Sequence, residues 1–369
     1  MHRLTFHPLG NADSLLIELE NGRLLVVDYA HVKSDAEDDL RYDLKTGLTN
    51  RLNELKRTDV DVFCPTHLDN DHICGASDFF YLEHAAKYQT EGRFKIKDLW
   101  VPAGAITEEG CEDAAKVWRA EARHRLKAGT GIRVFGRPDR LRDWMKDNGL
   151  DFDSRKHLIT DAGRLIPGFS LASDSVEFFL HSPHAHRIND REVEDRNQDC
   201  VVMQATFQVS STETRVMMAG DTTWEAMVDI VNITKFHKND SRLDYDVFKL
   251  PHHCSYLSLS DDKGKSKTVP KPEIEDWYDR GARNGILISS SDVIRDVDSN
   301  MPPHFQAKNY YEDIRSAING FFKVTMEHPN ALNPRPLVIE ISHLGPMIKN
   351  PPSGIGAAAS LTAVPPKAG

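Results

Sequence analysis

Two imidazoles and two carboxylates fall within six consecutive positions of this chain, at His67, Asp69, Asp71 and His72 in the stretch THLDNDH. Imidazole nitrogen and carboxylate oxygen both suit zinc and manganese, and the spacing His-x-Asp-x-Asp-His supplies enough donors to begin two adjacent metal positions. The run before it, residues 60–64 (VDVFC), reads as a short buried strand that Pro65 closes. The motif is therefore expected on a loop at a strand end, where all four side chains can turn inward. A continuing strand would send alternate ones to opposite faces.

Three further strand-like runs end the same way. Residues 214–219 lead into Gly220-Asp221, residues 244–250 (DYDVFKL) into His252-His253-Cys254, and residues 285–289 (GILIS) into a loop that closes on Asn300 and His304. No requirement of a strand end explains such a recurrence of metal-capable side chains, so the pattern predicts a centre for two divalent metal ions, Zn or Mn. His181, His184 and His186 follow another strand, 175–180 (SVEFFL), beside a charged loop at 187–195. One or none of them is expected as a ligand.

The elements that must hold these residues can be read around them. From Leu4 the chain runs LTF, a turn at Gly10-Asn11-Ala12-Asp13, SLLIEL, and then RLLVVDYA after Asn21-Gly22. Asn-Gly between apolar runs signals a hairpin, so the chain opens with antiparallel strands, one of which Asp28 ends. Residues 38–55 have helical periodicity, 76–87 read as a helix and 97–101 as a strand. Residues 200–209 and 214–219 form a strand pair around Ser210-Ser211, and a helix at 305–321 and strands at 323–326 and 337–341 follow. This order, with the chemistry at strand ends, predicts an α/β layered fold over 1–345. Residues 346–369 are expected to be a disordered C-terminal tail, its stretch from Pro351 being rich in Pro, Gly and Ala.

A basic helical insertion is expected at about 107–165. Between Lys116 and Lys146 ten Lys/Arg stand against Glu121, Asp139 and Asp143, with Trp118, Phe135 and Trp144 interleaved. The pattern fits a solvated insertion as well as a surface that binds a polyanion such as nucleic acid. The 369-residue chain carries a net charge of −10, which offers no global attraction to nucleic acid or to an anionic membrane. No apolar run approaches a membrane span, and the first residues lack a basic segment followed by an apolar one, so a soluble, cytoplasmic protein is expected. The five cysteines, Cys64, Cys74, Cys111, Cys200 and Cys254, form no close pair, which fits a reducing compartment.

In order, GNADSLLIEL, LLVVD, THLDNDHICG, AGD, KLPHHCS and NMPPH resemble the metallo-β-lactamase fold superfamily, most closely the branch typified by the hydrolase domain of the competence DNA-uptake protein ComEC. The resemblance covers roughly residues 4–342, apart from the basic region. It implies an αββα sandwich of two mixed β-sheets flanked by helices, with a dinuclear metal site at one edge. By position, it implies that His67 and Asp69 hold one metal, that Asp71 and His72 hold the other, and that Asp221 bridges them. One of His252 and His253 completes the second site, and His304 ligates metal or acts on the leaving group. Asp28 orients a ligand histidine. Asp69 replaces a histidine found in many members, as in the ComEC-like branch, and Cys254 stands where the family has glycine. The histidine that other members place before the Gly-Asp strand is not evident. Asn197 stands there, which implies a weaker first site or one that prefers manganese.

Two bridged divalent ions would lower the pKa of a shared water, giving a metal-bridged hydroxide as nucleophile near neutral pH. Asp71 would orient it and accept its proton, while His253 or His304 would stabilise developing charge or protonate the leaving oxygen. The expected function is a metal-dependent phosphodiesterase or nuclease. Alternatives are a small-molecule phosphoester or ester hydrolase and, in another class, a metal-bound scaffold that binds a partner protein. Fold does not choose among them.

Overall fold

The computed structural model describes residues 1–184 and 196–349. Two β-sheets lie face to face. The first has ten strands: Gly345–Lys349, Leu337–Ser342, His2–Phe6, Leu15–Glu18, Leu24–Val27, Asp59–Cys64, Phe94–Pro102, Ile132–Phe135 and Ile159–Thr160 in spatial order, with Phe80–Tyr81 pairing Phe94–Pro102. The second has seven: Phe321–Val324, Gly281–Ser289, Tyr245–Lys249, Thr212–Ala219, Val202–Val209, Val176–Ser182 and Arg164–Leu165. Each sheet mixes antiparallel and parallel pairs.

The period-two alternation of side chains sorts the apolar residues into layers. Leu25 and Val27 face the second sheet, where Met203, Ala205, Val216, Met218 and Val247 meet them. Leu24 and Val26 point outward, under helices that bring Leu44, Leu48, Trp118 and Leu126. Met217 and Ala219 point outward from the second sheet toward helices Trp224–Phe236, Pro272–Tyr278 and Phe305–Ala317. Burial on both faces explains why strands such as LLVV are apolar throughout. The architecture is an α/β sandwich of two mixed sheets flanked by helices.

Several expectations need correction. Residues 76–87 are not one helix. Ala76–Phe79 makes a single turn, Phe80–Tyr81 joins the sheet edge, and Ala86–Tyr88 is a 3₁₀ turn. Adjacent Phe79 and Phe80 are both buried in the layer under the first sheet's helices, their rings packed against Tyr29, Phe63 and Trp118, and Phe80 continues as strand because it pairs with Phe94 at the sheet edge. The helix read over 38–55 spans only Leu44–Glu54, because Asp43 caps it by accepting from Thr46 N at 3.0 Å.

The basic region is not wholly helical. Its strands Ile132–Phe135 and Ile159–Thr160 extend the first sheet in parallel, with helices Asp113–Ala128 and Asp139–Asp147 packed on it. Gly345–Lys349 pairs with Leu337–Ser342, so residues 346–349 are sheet, not tail. His186, the loop at 187–195 and the stretch 351–369 lie outside the described residues. Among the described residues no helix is long and apolar enough to cross a membrane. All five cysteines are free thiols.

Candidate metal centre

Strands Leu24–Val27 and Asp59–Cys64 run parallel in the first sheet, as do Thr212–Ala219, Tyr245–Lys249 and Gly281–Ser289 in the second. Their C-terminal ends share one edge of the sandwich, and the loops there deliver Asp28, the THLDNDH motif, Asp221, His252-His253 and Ser290. The motif is not wholly loop: Asn70–Ile73 is one helical turn, with Asp69 at its N-cap.

Ligand-capable atoms of Asp13, His72, Asp221 and His253 lie within 4.8 Å of one another, as do those of His67, Asp71 and His72. The two groups share His72. His72 Nε2 lies 3.1 Å from Asp221 Oδ1, and both atoms are buried without hydrogen-bond alignment, as two donors to one cation would be. His253 Nε2 stands 3.1 Å from Asp71 Oδ2 and 3.3 Å from Asp221 Oδ2. His67 Nε2, also buried and unpartnered, faces Asp69 Oδ2 at 3.5 Å.

The other nitrogen of each ring is tied down. His253 Nδ1 donates to Ser290 O at 2.6 Å, and His72 Nδ1 donates to Asp28 Oδ2 at 2.9 Å. Thr66 Oγ1 accepts from His67 Nδ1 at 3.2 Å and donates to Asp28 Oδ2 at 3.0 Å, while Thr66 N donates to Asp28 Oδ1 at 2.7 Å. Those bonds assign the tautomers and leave three Nε2 lone pairs converging with carboxylates, a donor set that fits zinc or manganese.

The remaining predicted residues stand around this core. Asp69 gives Oδ1 to Arg196 at 2.5 Å, which leaves Oδ2 facing His67. His252 and His304 are in neither ligand group. His252 is half-buried with an unpartnered Nδ1, and its ring is 6.4 Å from that of His253. His304 Nδ1 accepts from Tyr256 N at 3.4 Å, and its buried Nε2 has no partner. The turn carrying these histidines is strained: His252, His253 and Cys254 have φ of 48°, 51° and 64°. His181 serves the fold, with Nε2 bonded to Arg242 O at 2.9 Å.

Sequence reasoning passed over Asp13 and Lys249. Both are buried, with Lys249 Nζ 2.5 Å from Asp13 Oδ2 and 2.8 Å from Ala219 O. Asp13 Oδ2 is also 3.8 Å from His72 Nδ1.

Electrostatics of the metal-free cluster follow from this packing. Burial alone would depress the His72 imidazolium, but Asp28 and Asp221 more than offset it and hold its pKa well above the ordinary value. For His253, burial is outweighed by Asp221 and Asp71, and its pKa is pushed up to about 10. Burial opposes ionisation of Asp221 and Asp71, yet the facing imidazoles keep both below the usual carboxylate range. Both imidazoles therefore carry protons at pH 7 that a cation must displace. Metal binding at pH 7 is expected to release them, and release is expected to fade as pH rises through about 10. Calorimetry in two buffers of different ionisation enthalpy measures this directly.

Gly220 lets the two sheets meet here. A Cβ at this position would stand 2.9 Å from Thr66 Oγ1 and 3.2 Å from Cys200 Cβ. Gly220→Ala should push Thr66 off Asp28 and misalign His67 and His72 together. A loss of about 10–100-fold in metal affinity, the usual effect of disturbing the outer partners of ligand histidines, is expected in a metal titration.

The basic stretch is largely occupied with the fold. Trp118 and Phe135 are buried. Arg125, also buried, bonds Glu121 Oε1 and the carbonyls of Ile96 and Gly131. Arg133 and Arg137 bond His157 O and Asp161, Arg142 covers Phe152, and Lys127 covers Trp144. Among the described residues, the side chains of Lys116 and Lys146 have no partner.

Fold and site together define a two-sheet α/β sandwich with a histidine–aspartate centre at one edge. No family model and no curated protein matches the sequence. Solved structures that align with it include a class B3 di-zinc metallo-β-lactamase, LRA-12, from an Alaskan soil metagenome, at 12% identity over 74% of this chain and 88% of that one, with a TM-score of 0.34. Unliganded yeast PDE1 aligns at 10% identity over 88% of this chain and 97% of its own, with a TM-score of 0.43. A β-lactamase from Chitinophaga pinensis aligns at 10% identity over 85% and 94%, with a TM-score of 0.33. The likeness is partial in each case.

Proposed function

We propose that this chain is a metal-dependent hydrolase of the metallo-β-lactamase fold that cleaves phosphodiesters. The observation that carries the reading is the convergence of three Nε2 atoms, each fixed by a bond at Nδ1, with Asp71 and Asp221. His67 and Asp69 would hold one divalent ion, zinc or manganese, and Asp71, His72 and His253 the second, with Asp221 between them. When bound, such a pair supplies an activated water and neutralises charge on the phosphoryl oxygens. Asp71, the half-exposed carboxylate of the cluster, would orient the attacking water and accept its proton. Burial lowers the His304 pKa to about 4, so the ring is neutral at pH 7. With Nδ1 accepting from Tyr256, His304 offers Nε2–H as a hydrogen bond to the leaving oxygen.

Bis(p-nitrophenyl) phosphate should be hydrolysed with added Mn²⁺ or Zn²⁺ and spared after chelation. Turnover of p-nitrophenyl acetate or a β-lactam in its place would overturn the assignment. Nucleic acid is a second reading, favoured by exposed Lys116 and half-buried Arg119 and Arg123 on helix Asp113–Ala128. If it holds, labelled DNA or RNA is cut, and binding weakens with salt by a log–log slope of about 0.9 per phosphate contacted on duplex DNA.

A further inference from the structure

Beside the centre, two arginines are held by backbone rather than by carboxylates. Arg119 donates from one terminal nitrogen to Glu108 O at 2.7 Å, and Arg123 donates from Nε to Ile106 O at 2.8 Å. Both carbonyls belong to the end of the short helix Gly104–Thr107 and the residue after it. The Glu108 carboxylate is unavailable to them, since it takes Arg196 Nε at 2.9 and 3.0 Å and a terminal nitrogen of Arg196 at 2.5 Å. Arg196 in turn grips Asp69. One residue, Glu108, and one side chain, Arg196, thus separate Arg119 from the metal motif.

Arg119 and Arg123 stand four apart on one helix, so their guanidiniums are neighbours of like charge. Neither makes an ion pair among the described residues, although Glu109 lies near Arg123. Burial first, and then the Arg119 charge, push the Arg123 guanidinium below its ordinary value. Trp144 lies under Arg123 at 5.2 Å and limits where that fork can turn. Two like charges, partly desolvated, with their remaining N–H groups unclaimed, form a receptor for an anion, and the planar fork of arginine matches phosphate oxygens.

We propose that Arg119 and Arg123 form an anion subsite that takes a second phosphate of the substrate, away from the bond being cleaved. The proposal rests on the phosphodiester reading and narrows it to substrates with a phosphate on the neighbouring nucleoside or an equivalent position. It assigns binding to two guanidiniums, where a polyanion track would need many.

The test separates the subsite from the chemistry. A thymidine dinucleotide with an uncleavable, uncharged methylphosphonate linkage, with and without a 5′-phosphate, is titrated by calorimetry into the full-length protein with Mn²⁺ present. The 5′-phosphate should tighten binding at least about tenfold in the wild-type protein. That gain should fall below about threefold in Arg123→Gln and in Arg119→Gln, each checked for folding by circular dichroism. An equal gain in the variants, or none in the wild type, overturns the subsite. Loss of the diester reading would show separately, as failure to hydrolyse bis(p-nitrophenyl) phosphate.

Discussion

Asp221→Ala is expected to strip the centre of metal and to lower phosphodiester turnover by at least about 10³-fold, since outer partners of ligand histidines alone are worth about 10–100-fold. The reason is topological. His72 is held by the first sheet and His253 by the second, and Asp221 faces His72 with Oδ1 at 3.1 Å and His253 with Oδ2 at 3.3 Å. Asp71 reaches both rings with the same oxygen, Oδ2, at 3.9 and 3.1 Å, whereas Asp221 gives a separate oxygen to each. Its loss also removes one of the charges that hold both imidazoles protonated without metal, the largest at His253 and the second after Asp28 at His72, so burial weighs more heavily toward their neutral forms. The proton release expected of the parent protein at pH 7 should therefore shrink in the variant. Asp28→Asn is the graded comparison, because it touches no ligand directly but weakens the bonds that orient His72 and, through Thr66, His67, and should cost the smaller, 10–100-fold factor. Metal content by elemental analysis, read beside the rate, decides the matter. An Asp221→Ala protein that kept both metals and full turnover would sink the bridging role.

Much of this centre could be read from the chain because its donors lie next to short apolar runs whose ends are marked by Pro65, Gly220 and Pro251. Asp13 was harder to see, since GNAD looks like any turn. The information was nevertheless present. The Asn21-Gly22 hairpin sets Leu15 opposite Val27, so the residues just before Leu15 must arrive at the edge where Asp28 stands. Lys249 could be placed in the same way, since it shares a strand face with Val247, which points between the sheets. What local reasoning could not supply was partnership. Nothing in residues 116–146 shows that Arg125 is buried against Glu121 and two carbonyls, or that strands 132–135 and 159–160 extend a sheet begun elsewhere. Those facts depend on contacts with Ile96, Gly131 and Phe94–Pro102. In the same way, Phe80–Tyr81 is a strand because an edge is waiting for it, against its helical context.

The buried pair of Asp13 and Lys249 leads to the second large effect, this time on stability. Nζ and Oδ2 are 2.5 Å apart and both residues are buried beside a cavity of only ≈ 10 Å³, so bulk solvent screens neither charge well. Burial opposes the Lys249 ammonium, but Asp13 and Asp221 outweigh it and raise its pKa, so the lysine is charged at neutral pH. Lys249→Met leaves a carboxylate in a dry interior and should cost about 3–5 kcal/mol in metal-free protein, read from urea midpoints. The double variant Asp13→Asn/Lys249→Met removes both charges, and replacing a buried pair by neutral groups is close to neutral in energy, so most of that loss should return. Metal affinity distinguishes what the lysine is for. Asp13 Oδ2 belongs to the same 4.8 Å group as His72, Asp221 and His253. Lys249 keeps that oxygen engaged and away from a cation. In Lys249→Met the freed carboxylate should enter the coordination sphere and tighten metal binding even as the fold weakens, and in the double variant this tightening should vanish. If metal affinity fell in Lys249→Met and stayed low in the double variant, the ammonium would have to support the ligands themselves, through Asp221, and restraint of Asp13 would not be its role.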